Sequence, residues 1–191
     1  MKLLAAIALV ICFVPSLSRA ADTDLATLTC SKYQNEVLPR AASSPTADPI
    51  NTVMWMFGFS VAKSGAHYMY GDALEAFGFA LDAQCKNNPN ESVLDALALV
   101  KPDAKNPMDL TSLQCATFAK RHMDLARSDA ESANTIMMWL LGFAVAKSGS
   151  HIFNADALSA FEPGLLAQCA KHSDQSLFDA LVAVKATTPV K

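Results

Sequence analysis

From residue 25 onward, apolar side chains recur at intervals of three and four with no sustained alternation, a pattern that predicts helices throughout. A first helix is predicted from Cys30 to about Leu38. A second follows Asn51, or Asn134 later in the chain, each placed as an N-cap. It ends at Gly65 or Gly149, with Lys63 or Lys147 in the last turn, where a cation suits the helix dipole and glycine suits a left-handed stop. A third helix opens at Asp72-Ala73-Leu74-Glu75 and carries Cys85 at its end; its later counterpart is expected to kink or restart at Pro163-Gly164. Asn90 is placed to cap a short fourth helix that runs through Val100.

These elements come in two sets because the chain repeats itself. Trp55 to Gly65, WMFGFSVAKSG, returns as WLLGFAVAKSG from Trp139 to Gly149, and His67 returns as His151. DALEAF at Asp72 becomes DALSAF at Asp156, AQC at Ala83 recurs at Ala167, and SVLDAL at Ser92 becomes SLFDAL at Ser176. From Trp55 to Val100 about half the positions are identical at one fixed offset, which composition bias alone does not produce. The expected fold class is therefore all-α. Two tandem domains of about four helices each, residues 21–104 and 105–191, are joined near the polar stretch Lys101 to Pro107.

Residues 1–20 are set apart. Lys2, an apolar run from Leu3 to Val14, Pro15 and then Ser18-Arg19-Ala20 read as a secretory signal peptide cut after Ala20. Bulky Ile11 before Cys12 argues against lipid anchoring, and no later apolar run reaches the roughly 20 residues that span a bilayer. The expected product is exported and free. The chain has 15 basic and 18 acidic side chains; losing Lys2 and Arg19 leaves 13 basic groups and a net charge of −5. With no Lys/Arg cluster, that balance excludes the phosphate contacts of a nucleic-acid binder.

Four cysteines remain after the leader, Cys30, Cys85, Cys115 and Cys169, an even number suited to an oxidising compartment. Four cysteines allow three pairings. The matched spacing within the repeat favours Cys30 with Cys85 and Cys115 with Cys169, and no close pair suggests zinc. A loop of this length contributes about 4 kcal/mol in the chain-entropy model, a useful supplement for units of about 80 residues.

The second helix of each set is apolar on all sides and needs covering. Met54, Trp55, Met56, Phe57 and Phe59, with Met137, Met138, Trp139, Leu140, Leu141 and Phe143, are the candidate interface or client surface, facing the other unit, a second chain or another partner. Gly58 and Gly142 would let a neighbouring helix approach closely. Residues 21–104 carry 5 basic and 10 acidic groups and residues 105–191 carry 8 of each, so no strong repulsion opposes packing of the two units as an intramolecular pseudo-dimer.

No catalytic constellation emerges. Lys63-Ser64-Gly65 with His67, and Lys147-Ser148-Gly149 with His151, are explained by helix capping, without a third catalytic partner. His67, His122, His151 and His172 are scattered away from ligand spacing, and no Gly-rich phosphate loop occurs, so neither a metal nor a cofactor is expected.

Taken in order, Cys30-x-x-Tyr33 and Cys115-x-x-Phe118, Trp-x-x-Gly-Phe running into Lys-Ser-Gly, a second cysteine, and a short helix with Leu-Asp-Ala or Phe-Asp-Ala resemble the HdeA/HdeB family of periplasmic acid-stress proteins. The resemblance spans each unit nearly end to end. It implies a small helical fold with a disulfide between the first and third helices, and a chaperone that exposes apolar surface in acid to hold unfolding periplasmic clients. Two features depart from the family: the tandem arrangement, and Ser173 where the first unit has Pro89. The alternative is a constitutive periplasmic module for a small apolar ligand or a fixed partner protein.

The charge arithmetic fits acid activation. With 18 carboxyls neutral and four histidines charged, the processed chain approaches +17, and self-repulsion of that size opens marginal folds. Asp72 and Asp156, at the start of the third helix, are the expected pH-switch residues, since an ionised cap loses its grip as pH falls. Asp95 and Asp179 are read as part of a solvated helix face.

Overall fold

The computed structural model describes residues 22–39, 49–69, 73–100 and 107–184. The expected leader, Asp72 and most of the expected linker, residues 101–106, lie outside the described residues. The fold is mainly α-helical, as expected. Helices α1 (Cys30–Lys32), α2 (Pro49–Lys63), α3 (Leu74–Asn87) and α4 (Val93–Leu99) are answered by α5 (Cys115–Ser128), α6 (Ala130–Lys147), α7 (Leu158–Lys171) and α8 (Leu177–Ala183). Disulfides Cys30–Cys85 and Cys115–Cys169 tie the first helix of each set to the third, each with 4.8 Å between Cα atoms.

Several boundaries differ from the sequence expectation. The first helix passes from α1 into a π-helical stretch, Tyr33–Val37, because the Asn35 side chain donates to the Ser31 carbonyl at 2.9 Å and competes for the acceptor of its own backbone N–H. Helix α2 starts at Pro49, whose missing N–H costs nothing in the first turn, so Asn51 is not its cap. Asp129 caps α6 through Ser132 N–H at 3.0 Å, which leaves Asn134 inside the helix. Ser92, not Asn90, caps α4, and Ser176 caps α8; Asp95 and Asp179 are their capping-box partners, accepting from the serine hydroxyls at 2.7 and 2.8 Å. Helix α7 runs unbroken through Pro163: the proline lies about a turn and a half from the start and removes only one ladder bond, to Ser159.

Short strands were invisible to periodicity because each has only two residues. Strand β1 (Thr23–Asp24) pairs antiparallel with β4 (Ile152–Phe153), and β2 (Tyr68–Met69) pairs antiparallel with β3 (Met108–Asp109). Each ladder joins the first half of the chain to the second. Equivalent bonds extend them, from Leu25 N–H to the His151 carbonyl at 3.1 Å and from Leu110 N–H to the His67 carbonyl at 2.9 Å.

At the centre, α2 lies against α6. A Cβ on Gly58 would overlap the Trp139 carbonyl, and one on Gly142 would overlap the Trp55 carbonyl. These are equivalent positions of the repeat meeting reciprocally. Thr135 Oγ donates to Oδ1 of Asn51, its own counterpart, at 3.2 Å. The buried side chains of both halves merge into one continuous core.

Gly142→Ala is expected to destabilise the protein by about 2 kcal/mol, because backbone cannot yield to the new methyl as a flexible side chain would. Helix propensity alone predicts the opposite sign, a gain of about 1 kcal/mol. Gly78→Ala is the control, since its Cβ would meet only Val53 Cγ1 at an ordinary 3.7 Å. Denaturant melts of the two variants measure the contrast, and equal effects would refute a close-packed crossing.

Candidate functional site: an apolar seam with titratable borders

The candidate interface residues gather where α2 meets α6. Met54, Trp55, Met56, Phe57, Phe59, Met137, Met138, Trp139, Leu140, Leu141 and Phe143 are all buried, Met54 being the most accessible at 8%. Rings interlock across the seam: Trp55 meets Phe153 edge-on at 5.1 Å, and Phe57 meets Trp139 edge-on at 6.5 Å. Within each helix Trp55 stacks on Phe59 at 5.3 Å and Trp139 on Phe143 at 5.4 Å. Both indole N–H groups are buried without a hydrogen-bond partner among the described residues. Burying these side chains contributes roughly 2 kcal/mol each, so the seam is the largest store of apolar surface that opening could release.

The Lys-Ser-Gly segments close the two helices. Gly65 and Gly149 have φ of 80° and 82°, the left-handed stop that glycine adopts without strain. Ser64 and Ser148 donate to the carbonyls of Val61 and Val145, each at 2.7 Å, while Lys63 and Lys147 lie over Phe59 and Phe143. These residues finish helices; their hydroxyls are directed at backbone.

Titratable groups line the borders between the halves. His67 Nε2 lies 3.9 Å from Asp109 Oδ1, and the equivalent His151 Nε2 lies 3.3 Å from Asp24 Oδ1. Both pairs sit beside the short ladders that join the halves. Sequence reasoning missed them because each contact is made between halves. The matched recurrence of His67 and His151, Asp24 and Asp109, was the available signal.

The pH-switch expectation changes in detail. Asp156 lies exposed in a short 3₁₀ turn, Ala155–Ala157, and the free N–H groups there are accepted by Asn154 Oδ1, from Asp156 at 2.8 Å and Ala157 at 3.3 Å. A carboxamide does this capping, and it lacks the charge a pH switch needs. Three other carboxyls are held below the ordinary aspartate range. Hydrogen bonds from the Thr111 side chain and backbone lower Asp109, with His67 adding a smaller pull. Lys86, then Gln34, lowers Asp82, and Ser132 lowers Asp129. A depressed carboxyl contributes stability that is present above its unfolded pKa, about 3.9, and is lost as pH falls through the lower folded value.

Among the described residues no cluster of three or more potential ligands could hold a metal ion, and no helix is long and apolar enough to cross a membrane. A family model described as HdeA/HdeB family matches residues 96–179, from within α4 to within α8. No curated protein and no solved structure matches the chain.

Asp129→Asn keeps an acceptor for Ser132 while removing the charge. It is expected to lower stability at about pH 7 and to narrow its deficit against the parent towards pH 2, as pH falls towards the lowered folded value of Asp129. Urea melts at the two pH values measure this, and a deficit independent of pH would contradict the assignment.

Proposed function

Because the chain belongs to the HdeA/HdeB family through residues 96–179, a family associated with periplasmic acid-stress chaperones, we propose that it is an acid-activated periplasmic holdase. In this reading the first half, which repeats the matched segment, is a second unit of the same kind, and the chain acts as an intramolecular pseudo-dimer of units 21–104 and 105–191 after removal of a leader, residues 1–20. It is not an enzyme. Its clients are unfolding periplasmic proteins, and it needs no cofactor.

One observation supports the reading above the others: the most apolar helix of each half is buried against its counterpart, while the ties at the borders depend on carboxylates. At neutral pH the seam is covered. Below about pH 4 the carboxyls lose their charge while Lys, Arg and His keep theirs. The growing positive charge of both halves then opposes contact. Separation presents Trp55, Met56, Phe57, Trp139 and their neighbours, flexible thioethers and flat rings that adapt to irregular apolar clients. The disulfides close loops that contain these helices and limit how far the opened chain expands. Thiol exchange is slow in acid, so the staples persist.

The oxidised full chain is expected to suppress aggregation of an acid-denatured client at about pH 3 in near-stoichiometric amounts and to have no effect at about pH 7, measured by light scattering. Equal suppression at neutral pH would instead favour the constitutive binding module. The pseudo-dimer has its own test: each half expressed alone is expected to associate or lose stability. A half that is monomeric and as stable as the whole would refute it.

A further inference from the structure

The two halves differ at one buried titratable site. His122, on α5, is buried, and its Nε2 lies 2.7 Å from Glu162 Oε1 on α7; the side chains are 3% and 31% exposed. Phe118 stacks on the imidazole with 5.8 Å between ring centres. The other ring nitrogen, Nδ1, is buried without a partner among the described residues. The first half has no such pair. Val37 follows Cys30 at the distance His122 follows Cys115, and Gly78 follows Phe77 as Glu162 follows Phe161.

We infer that the His122–Glu162 pair makes α5 and α7 the acid-labile layer of the molecule, opening at a higher pH than their counterparts around α3. A neutral imidazole can donate from Nε2 to the carboxylate and leave Nδ1 as a bare acceptor. A protonated imidazole makes the pair imidazolium with carboxylate. The second proton places an N–H on buried Nδ1, where it has no acceptor, but the carboxylate still balances the charge. Once Glu162 is protonated, the imidazolium is both short of an acceptor and without a counter-charge in a buried site. In the unfolded chain water solvates the same cation. Acid therefore favours opening, and the site acts in addition to the general rise in positive charge.

No other charged group on the packed elements replaces Glu162. On α5, Lys120 and Arg121 are exposed cations that add to the repulsion, and Asp124 is bound by Arg127. On α6, Asp129 at the cap is occupied by Ser132, Glu131 is exposed at the first turn, and Lys147 lies over Phe143 and Phe178. On α7 the remaining charge is exposed Lys171, and on α8 Asp179 is engaged by Ser176. Helices α5 and α7 also cover α6, so their opening uncovers one side of that helix while its face against α2 stays packed, as local units of a fold do. The inference concerns stability and does not require client holding.

Hydrogen exchange read by mass spectrometry along an acid series tests it in the oxidised full chain, with protection corrected for intrinsic exchange rates. Peptides from α5 and α7 are expected to lose protection at a pH at least about half a unit above those from α3. Glu162→Gln keeps an acceptor for neutral His122 but never supplies the counter-charge. Its α7 midpoint is expected to rise above that of the parent, while α3 stays in place. Replacing both residues by leucine is expected to lower the α7 midpoint towards that of α3. Simultaneous loss of protection in the parent, or an unshifted α7 midpoint in Glu162→Gln, would overturn the inference. The parent comparison needs no variant to fold, and it can succeed even if aggregation is never suppressed.

Discussion

The contact between Gly58 and the Trp139 carbonyl, with its reciprocal between Gly142 and the Trp55 carbonyl, is the constraint on which the rest of the molecule depends. It sets the distance between α2 and α6, and only at that distance do two helices that are apolar on every side cover each other. A helix of this kind cannot be enclosed by a three-helix shell of its own half. The second copy supplies the missing wall. The same closeness brings the chain segments on either side within reach of the opposite half, where they form β1–β4 and β2–β3.

This arrangement separates the source of stability from the source of pH sensitivity. The seam contains no ionisable side chain among its eleven apolar residues, so protons do not act on it directly. They act at its borders. The pairs His67–Asp109 and His151–Asp24 lie beside the ladders, and Asp82 ties α3 to the π-helical stretch through Gln34 at 2.8 Å. Exposed pairs of this type contribute little individually and are screened by salt. Their effect is collective, since acid neutralises every carboxyl while the cations remain. In the proposed function, a buried hydrophobic seam held by many weak, exposed ties stays closed at neutral pH and opens as acid removes them.

The sequence made the helices and the disulfide pairing legible because each is written within one repeat, as periodicity or matched spacing, and the unbroken apolar runs mark residues that are buried. What it concealed lies in contacts between distant segments or in competition among local hydrogen bonds. Two-residue strands have no period to detect. The His–Asp pairs join residues about 42 or 127 positions apart, far beyond any local pattern. Several Asn and Asp residues can occupy a cap, and the choice falls to the one whose backbone enters the helix in extended form, as Ser92 and Ser176 do. Asn35 and Ser31 both favour side-chain bonds to nearby backbone, but which carbonyl they take depends on packing.

A reciprocal contact also limits where the two copies can diverge. Any change on the face of α2 that meets α6 is felt against the counterpart residue, so the two copies must offer compatible surfaces at the same positions. From the tryptophan to the closing glycine the segments are accordingly alike, WMFGFSVAKSG and WLLGFAVAKSG. The outer layer is under no such demand, because α1 and α3 do not pack on α5 and α7 in the way α2 packs on α6. There the copies part: Asn35 opens a π turn that α5 lacks, Phe79 stands exposed where the second half has Pro163, and Val37 and Gly78 stand where the second half has His122 and Glu162. Duplication within one chain thus leaves a matched centre and a free periphery. A polar pair such as His122 and Glu162 can enter one half of that periphery without disturbing the seam.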